Sequence, residues 1–292
     1  MRCLVLINPN SGRAPEAEGA VESLRHASDG FEVEVERPDS LEASRKTLER
    51  RAREFDALVV AGGDGTFHGL AKVLKRAGKP VGILPLGTAN DLARTLGIPF
   101  DLHQAAGVIA GGHRKRIDLG RAGRELFFNV ATVGLGAEVP RFHSGERKRR
   151  LGILNYPLSL WLAWRQNRSF RCRIECDGDT VRGRFIHIAI GNGPHFGGGL
   201  VVDEDCRIDD ETLYLYAIKP VGFWRLLRLA PWIRAGQLRP WPEVITLRGA
   251  RIALHTARRR SLNLDGEMSG HTPRVFTVEP KALEVFVPQS HL

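Results

Sequence analysis

Through residues 2–112 the chain alternates between short apolar runs and stretches whose apolar positions recur every three or four residues. The runs at 3–7, 31–35, 57–61 and 81–84 read as buried strands. Helical spacing is seen in Ala17, Val21 and Leu24, in Phe67, Leu70, Ala71 and Leu74, in Leu92 and Leu96, and in Leu102, Ala106 and Ile109, the last ended by Gly111-Gly112. Strand and helix in alternation predict a mostly parallel sheet covered on both faces, with loops gathered at the carboxyl ends of the strands. Beyond Lys115 the period shortens to two. Residues 126–130, 171–176, 185–190, 213–218, 251–255 and 283–287 read as strands, and Asp177-Gly178 as a hairpin turn. The expectation is an α/β domain over residues 1–117 and an antiparallel β-sandwich over 118–292, closely packed with the site between them, the last residues free to cross back.

Two glycine-rich stretches punctuate the first half. Gly62-Gly63-Asp64-Gly65-Thr66 and Pro85-Leu86-Gly87-Thr88-Ala89-Asn90-Asp91 each end an apolar run and open a helical pattern. Backbone N–H groups converging at a helix N-terminus hold phosphate, so the pair predicts a nucleotide site. On this reading the glycines take positive φ and let the backbone approach an oxyanion, and Thr66 is the N-cap. Asp64 then serves a magnesium-bound phosphate or a ribose hydroxyl. A tight strand-to-helix turn explains either stretch alone better than it explains both.

These stretches, with Asn8-Pro9-Asn10-Ser11-Gly12-Arg13 before them and Leu92-Ala93-Arg94 after, resemble the diacylglycerol kinase catalytic-domain family, in particular its bacterial lipid-kinase branch. Phe128-Asn129-Val130-Ala131 leading to Gly134-Leu135-Gly136-Ala137-Glu138, then Gly191-Asn192 with Gly197-Gly198-Gly199, Asp209-Asp210, and Asn263-Leu264-Asp265-Gly266-Glu267 carry the resemblance to residue 267. It implies an α/β nucleotide-binding domain of the NAD kinase/diacylglycerol kinase type followed by a β-sandwich domain. It also implies transfer of the γ-phosphate of ATP, with Mg2+, to a lipid hydroxyl of diacylglycerol, phosphatidylglycerol or sphingoid type. Nucleotide contacts would come from Asn8, Ser11, Gly12, Arg13, Gly62, Gly63, Asp64, Gly65, Thr66, Phe67, His68, Gly87, Thr88, Asn90 and Asp91. The base would be Asp265 or Glu267, which an extended backbone points to one face. A structural magnesium would sit on Asp210 with the backbone carbonyls of Arg207 and Thr212; Asp64 and Asp118, the latter at the domain junction, are further metal candidates. The chain departs from the family pattern at Glu211, where a glycine is usual, and at Arg37-Pro38-Asp39-Ser40, where a nucleotide-contacting threonine is common. The rival readings are an NAD kinase and a catalytically silent nucleotide or lipid sensor.

The net charge of +10 narrows the partners to anionic ones. No zinc finger, RNP motif or helix-turn-helix pattern is present, so no nucleic acid is expected. Arg147-Lys148-Arg149-Arg150 abuts the apolar stretch 151–164, which holds Tyr156, Pro157, Trp161 and Trp164 and is followed by Arg165 and Arg168; residues 223–234 mix tryptophan, leucine and arginine again. Either alone reads as a core helix with a solvated basic face; together they point to a lipid substrate at an anionic membrane surface. A homodimer is left open. No apolar run reaches the roughly 18 residues of a membrane span, and residues 1–7 are too short for a signal-peptide core, so a cytoplasmic, peripherally membrane-associated protein is expected. Cys3, Cys172, Cys176 and Cys206 are expected as free thiols, with Cys172 and Cys176 on one strand face. His68 could reach phosphate and His195 the acceptor, each competing with a structural role, and Arg258-Arg259-Arg260 reads as an exposed hairpin tip.

Overall fold

Strands with no polar face are stable only where both faces are covered. In the computed structural model β1 (Arg2–Ile7), β3 (Ala57–Gly62) and β4 (Val81–Pro85) are such strands, buried almost throughout. They pair in parallel as β2-β1-β3-β4, with β2 (Glu32–Glu36) at the edge. The edge strand alternates Glu with Val, and Glu34 and Glu36 both pair with Arg51 at 2.6 Å. A charged edge resists further strand addition. Of the helices, α1 (Ala17–His26) packs on α5 (Leu102–Ala110), and α2 (Leu41–Arg51) packs on α3 (Asp64–Ala77); α4 (Asp91–Thr95) is a short turn. The structure describes residues 1–26, 32–135, 161–162, 164–165 and 169–292. Phe31, Gly136-Ala137-Glu138, the 147–150 cluster, Tyr156 and Arg168 lie outside the described residues.

The second half builds β5 (Arg114–Ala122), β6 (Glu125–Phe127), β7 (Val130–Gly134), β8 (Phe170–Cys176), β9 (Asp179–Phe185), β10 (His187–Gly191), β11 (His195–Phe196), β12 (Leu200–Val201) and β13 (Leu213–Ile218). After α6 (Phe223–Ala235) come β14 (Val244–Gly249), β15 (Arg251–Thr256), β16 (Ser261–Leu264), β17 (Glu267–His271) and β18 (Arg274–Phe286). One antiparallel sheet runs β14-β13-β10-β7-β16-β17. The other is a continuation of the first-domain sheet: β18 pairs with β5 along its length, with β4 at its end and with β15 at its start, followed by β8 and β9. Phe127, Phe170, Phe185 and Phe276 fill the space between the two sheets, while Phe286 and Val287 join the core of the α/β domain. The β8 alternation holds, with Cys172 and Cys176 inward and Arg171 and Arg173 outward, and all four cysteines are free and buried.

Two of the expected strands are broken. Residues 126–130 divide at Phe128-Asn129, because the N–H groups there are drawn to a side chain described below. The 185–190 run divides at Ile186, where the chain leaves the first sheet at β9 and enters the second at β10. The long β18 carries a bulge between Glu279 and Leu283, with Lys281 at φ +47°. The carboxylate of Asp118, 1% exposed, holds that bulge: Oδ1 accepts the Lys281 N–H and Oδ2 the Glu211 N–H, both at 2.7 Å.

Asp118→Ala removes the acceptor of two part-buried N–H groups, and the expected loss is about 1–3 kcal/mol. A urea midpoint that falls with an unchanged slope would bear this out; an unmoved midpoint would refute it.

Candidate active site

The loops after β1, β3 and β4 lie side by side at the carboxyl edge of the parallel strands. Asn8 Nδ2 donates to Thr66 Oγ1 at 2.9 Å, and the Leu86 N–H donates to the Gly62 carbonyl at 3.0 Å, tying the three loops together. The two glycine stretches press on each other. A Cβ on Gly63 would stand 2.9 Å from Gly87 Cα, and one on Gly87 would stand 2.7 Å from Gly63 Cα. This mutual contact, and not positive φ, is what these positions require: none of Gly62, Gly63, Gly65 and Gly87 lies in the left-handed region. Nor is Thr66 the N-cap. That place belongs to Gly63, which has no side chain to cap with, and Thr66 lies in the first turn facing Asn8. Side chains of Ser40 and Asp101 do cap α2 and α5, so Arg37-Pro38-Asp39-Ser40 leads into a helix cap. The first turn of α3 therefore has N–H donors without a side-chain cap.

Asn90, at φ +49°, closes the second loop by accepting the Gly87 N–H and donating to the Gly87 carbonyl, both at 2.8 Å, and leaves Thr88 exposed at the tip. In the first loop the Ser11 N–H turns back onto the Asn8 carbonyl, and Gly12 faces open space. The Arg13 guanidinium turns to Glu16 and the Phe100 carbonyl.

The β16–β17 hairpin brings the second domain to this edge. Its turn residues Asp265 and Gly266 have φ of +49° and +96°, so the backbone is not extended and Asp265 and Glu267 do not share a face. Asp265, its side chain 3% exposed, accepts three backbone N–H groups, from Phe128, Asn129 and Val130, at 2.7, 2.8 and 3.0 Å. These bonds are what break the expected 126–130 strand. His68 of α3 places Nδ1 3.6 Å from the same carboxylate, and its neighbour Phe67 packs edge-on against Phe128. Glu267 is exposed and turned the other way, with Oε1 over Gly65, 2.8 Å from where a Cβ there would stand.

Between the domains lies a cleft of about 250 Å³, with Asp64 and Asp91 on one wall and Asn129, Thr132, His195 and Asp265 on others. Burial pushes Asp64 up to about 6, helped by the charges of Asp91 and Asp265 and opposed by the Leu92 N–H bonded to Oδ1. Asp91 is raised as well, chiefly by burial, against N–H bonds from the Gly197-Gly198-Gly199 turn. Burial, and after it the Arg94 charge, lowers His195 to about 4, so its imidazole is neutral at pH 7. Thr95 links the wall together: its hydroxyl donates to Asn129 Oδ1 at 3.0 Å and lies 3.2 Å from His195 Nδ1.

A cleft between a glycine-looped α/β sheet and a β-sandwich is the layout of a known family. Residues 2–122 match the diacylglycerol kinase catalytic domain, and residues 129–287 match the YegS C-terminal NAD kinase beta sandwich-like domain. The chain belongs to the diacylglycerol kinase family. It is an enzyme of the lipid kinase class. A protein of Staphylococcus carnosus named diacylglycerol kinase is 27% identical over 99% of this chain and 95% of its own length, and one of Staphylococcus aureus is 27% identical over 98% and 92%. Two solved structures from Bacillus anthracis share the fold. A candidate diacylglycerol kinase has a TM-score of 0.85 at 24% identity, covering 100% of this chain and 96% of its own, and a second structure, titled a diacylglycerol kinase, scores 0.78 at 19% identity, covering 100% and 98%.

In this kinase the 207–214 loop stands apart from the cleft and is closed by protein donors. Asp210 accepts the Thr212 N–H at 3.1 Å and the Tyr214 hydroxyl at 2.8 Å, Arg207 turns to Asp209, and Asp118 holds Glu211 as described. Glu211 has φ +59°, the left-handed backbone that a glycine would adopt freely, so the loop keeps that geometry with a glutamate in place. Burial, with the charges of Asp118 and Asp209, still raises Asp210 against these donors. Of the wall residues, Asn129 and Asn263 were quoted only within motifs, with no role given, and Thr132 and its neighbour Thr95 were not singled out, although a buried Asn or Thr inside an apolar strand is a signal of a lined cavity.

A carboxyl near 6 when folded and near 3.8 when unfolded stabilises the fold fully below 3.8 and loses that contribution as pH rises through 6. Asp64→Asn is therefore expected to be more stable than the parent at pH 8, by about 2–3 kcal/mol, and equal to it at about pH 4. Urea midpoints across that range decide it; a variant weaker than the parent at pH 8 would refute it.

Proposed function

We propose that this protein transfers the γ-phosphate of ATP to a lipid hydroxyl, working as a cytoplasmic enzyme attached peripherally to an anionic membrane. The observation that carries the reading is the meeting of the two domains at the start of α3, where Glu267 lies over Gly65 beside an N-terminus that no side chain caps. Such an N-terminus offers N–H donors and a favourable dipole to phosphate, and Gly63 and Gly87 keep its surroundings free of side chains. Asn8 and Thr66 fix the neighbouring loop.

The carboxylates fit Mg2+, since Asp64 and Asp91 are hard oxygen donors whose charge burial disfavours and a cation would favour. Among the described residues no three ligating groups converge. That suits a cation which takes one or two carboxylates and draws its other ligands from phosphate and water. Bound there, Mg2+ would neutralise charge on the transferring phosphoryl group.

Glu267 is the proposed base. It is exposed to an incoming acceptor, whereas Asp265 has three backbone N–H groups on its carboxylate and acts as a positioning residue. Glu267 takes the proton of the acceptor hydroxyl as that oxygen attacks the γ-phosphorus, the bond to the β-phosphate oxygen breaks, and ADP and the phosphorylated lipid leave. Neutral His195 lines the cleft and is held by the Thr95 hydroxyl, which suits it to contact the polar end of the acceptor. The names of the relatives support diacylglycerol as the first acceptor to try. No described helix is long and apolar enough to cross a membrane.

The test is transfer of labelled γ-phosphate from Mg-ATP to a panel of diacylglycerol, phosphatidylglycerol, ceramide, sphingosine and NAD. Label is expected in one lipid, with Glu267→Gln lowering kcat about 100-fold or more at unchanged melting temperature. Label in NAD alone would give an NAD kinase, and ATP binding with no label anywhere a sensor; either result overturns the proposal.

A further inference from the structure

All five tryptophans of the chain lie in its second half, and the fold gathers four of them on and around α6. Trp164 packs on Phe223 at 5.8 Å, with Nε1 donating to the Val221 carbonyl, and Trp232 packs edge-on against Trp241 at 6.0 Å. The fifth, Trp161, shares the short segment of Trp164 and lies under the Arg165 guanidinium. Leu226 and Leu229 anchor α6 against Tyr214, Tyr216 and Ile218 on the outer face of the six-stranded sheet. Opposite them Trp224, Arg228, Pro231, Trp232 and Ala235 recur at helical spacing along an exposed stripe. Trp224 is 76% exposed, the most exposed large apolar side chain described, and Trp232 is 42% exposed.

A buried structural role does not explain an indole left that far in solvent. The charges decide between possible occupants. Among the described residues the helix carries Arg225, Arg228 and Arg234 and no acidic residue; Arg225 is paired with Glu243 at 2.6 Å, and Arg228 and Arg234 are exposed. Tryptophan at the level of lipid headgroups with arginine beside it is the composition of an interfacial helix on anionic lipid. The helix is also joined to the cleft. Gly236, which ends it, abuts Val201 and Asp203, and the β11–β12 hairpin that reaches Val201 supplies His195 and Phe196 to the cleft wall.

We propose that the exposed stripe of α6 is the membrane-docking surface of this protein, seating Trp224 and Trp232 at the headgroups of an anionic bilayer with Arg228 and Arg234 against lipid phosphates. The purpose of this contact rests on the lipid kinase reading, since it holds the hairpin edge of the cleft where a lipid acceptor can enter. The contact itself is physically independent of catalysis.

The experiment is flotation of the full chain with phosphatidylcholine vesicles, with and without phosphatidylglycerol, together with quenching of tryptophan fluorescence by brominated lipid. Binding and quenching are expected only when phosphatidylglycerol is present. Trp224→Ala with Trp232→Ala, and separately Arg228→Glu with Arg234→Glu, are each expected to weaken binding about 10-fold or more. Their circular dichroism and their transfer of phosphate to a water-soluble short-chain acceptor should be unchanged. Wild-type protein that fails to float, equal binding to neutral vesicles, or variants that bind as the parent does would each overturn the proposal. So would a Trp224-dependent dimer seen by sedimentation without lipid. Loss of binding in the variants of a protein that phosphorylates no lipid would sink the kinase reading and leave the docking surface standing.

Discussion

The carboxylate of Asp265 is the point on which the site depends. Three consecutive backbone N–H groups, of Phe128, Asn129 and Val130, point at one side chain contributed from a turn more than a hundred residues later. Buried N–H groups need partners, and a β-ladder would have supplied them at the expense of running β6 and β7 together. Giving them to Asp265 breaks the strand, turns Asn129 into the cleft wall and pins the β16–β17 hairpin against α3. The left-handed conformation of Asp265 is tolerated because those bonds over-determine it. With the turn fixed in this way, Glu267 is delivered to Gly65.

The second constraint is steric. Gly63 and Gly87 meet with their backbones in contact, and a methyl group on either would collide with the Cα of the other. Close approach of the β3 and β4 loops brings Asp64 and Asp91 together in a region of low water access. Burial raises both carboxyls, so the cleft carries destabilised anionic groups that a cation would relieve. Functional sites store such strain in otherwise well-satisfied structures. Asp118 is used differently: its side chain accepts two N–H groups and ties the joint between the domains.

Much of this architecture could be read from the chain. Fully apolar runs named β1, β3 and β4, helical spacing named α1, α3 and α5, and the glycine stretches placed the cleft at the right strand ends. α2 was not named, because Ser44 and Leu48 are its only buried residues within the helix and leave no stripe to detect. The breaks at Phe128-Asn129 and Ile186 escaped for a different reason. Local alternation continues through both, and only a distant carboxylate or a change of sheet interrupts the ladder. The roles of Asp265 and Glu267 could not be separated from a period-two argument, since that argument assumes an extended backbone where Asp265-Gly266 makes a turn.

The two halves of the molecule are not hinged modules joined by a linker. β18 is one strand of thirteen residues whose end beside Val81 belongs to the parallel sheet and whose start beside Leu254 belongs to the sandwich. Phe67 against Phe128 and His68 near Asp265 add contacts across the cleft itself. Opening the cleft as a rigid hinge would require breaking the β18 ladder or unpacking those rings, either of which removes buried apolar area and backbone hydrogen bonds at once. The walls are therefore set by folding, and substrate binding energy is not consumed in assembling them. What is left to vary is the hairpin between β10 and α6, where three consecutive glycines at positive φ, Gly197, Gly198 and Gly199, connect the cleft wall to the exposed tryptophan helix. That turn is itself tied to the other wall, since the Gly198 N–H donates to the Asp91 carboxylate, so a shift of the hairpin is felt at Asp91.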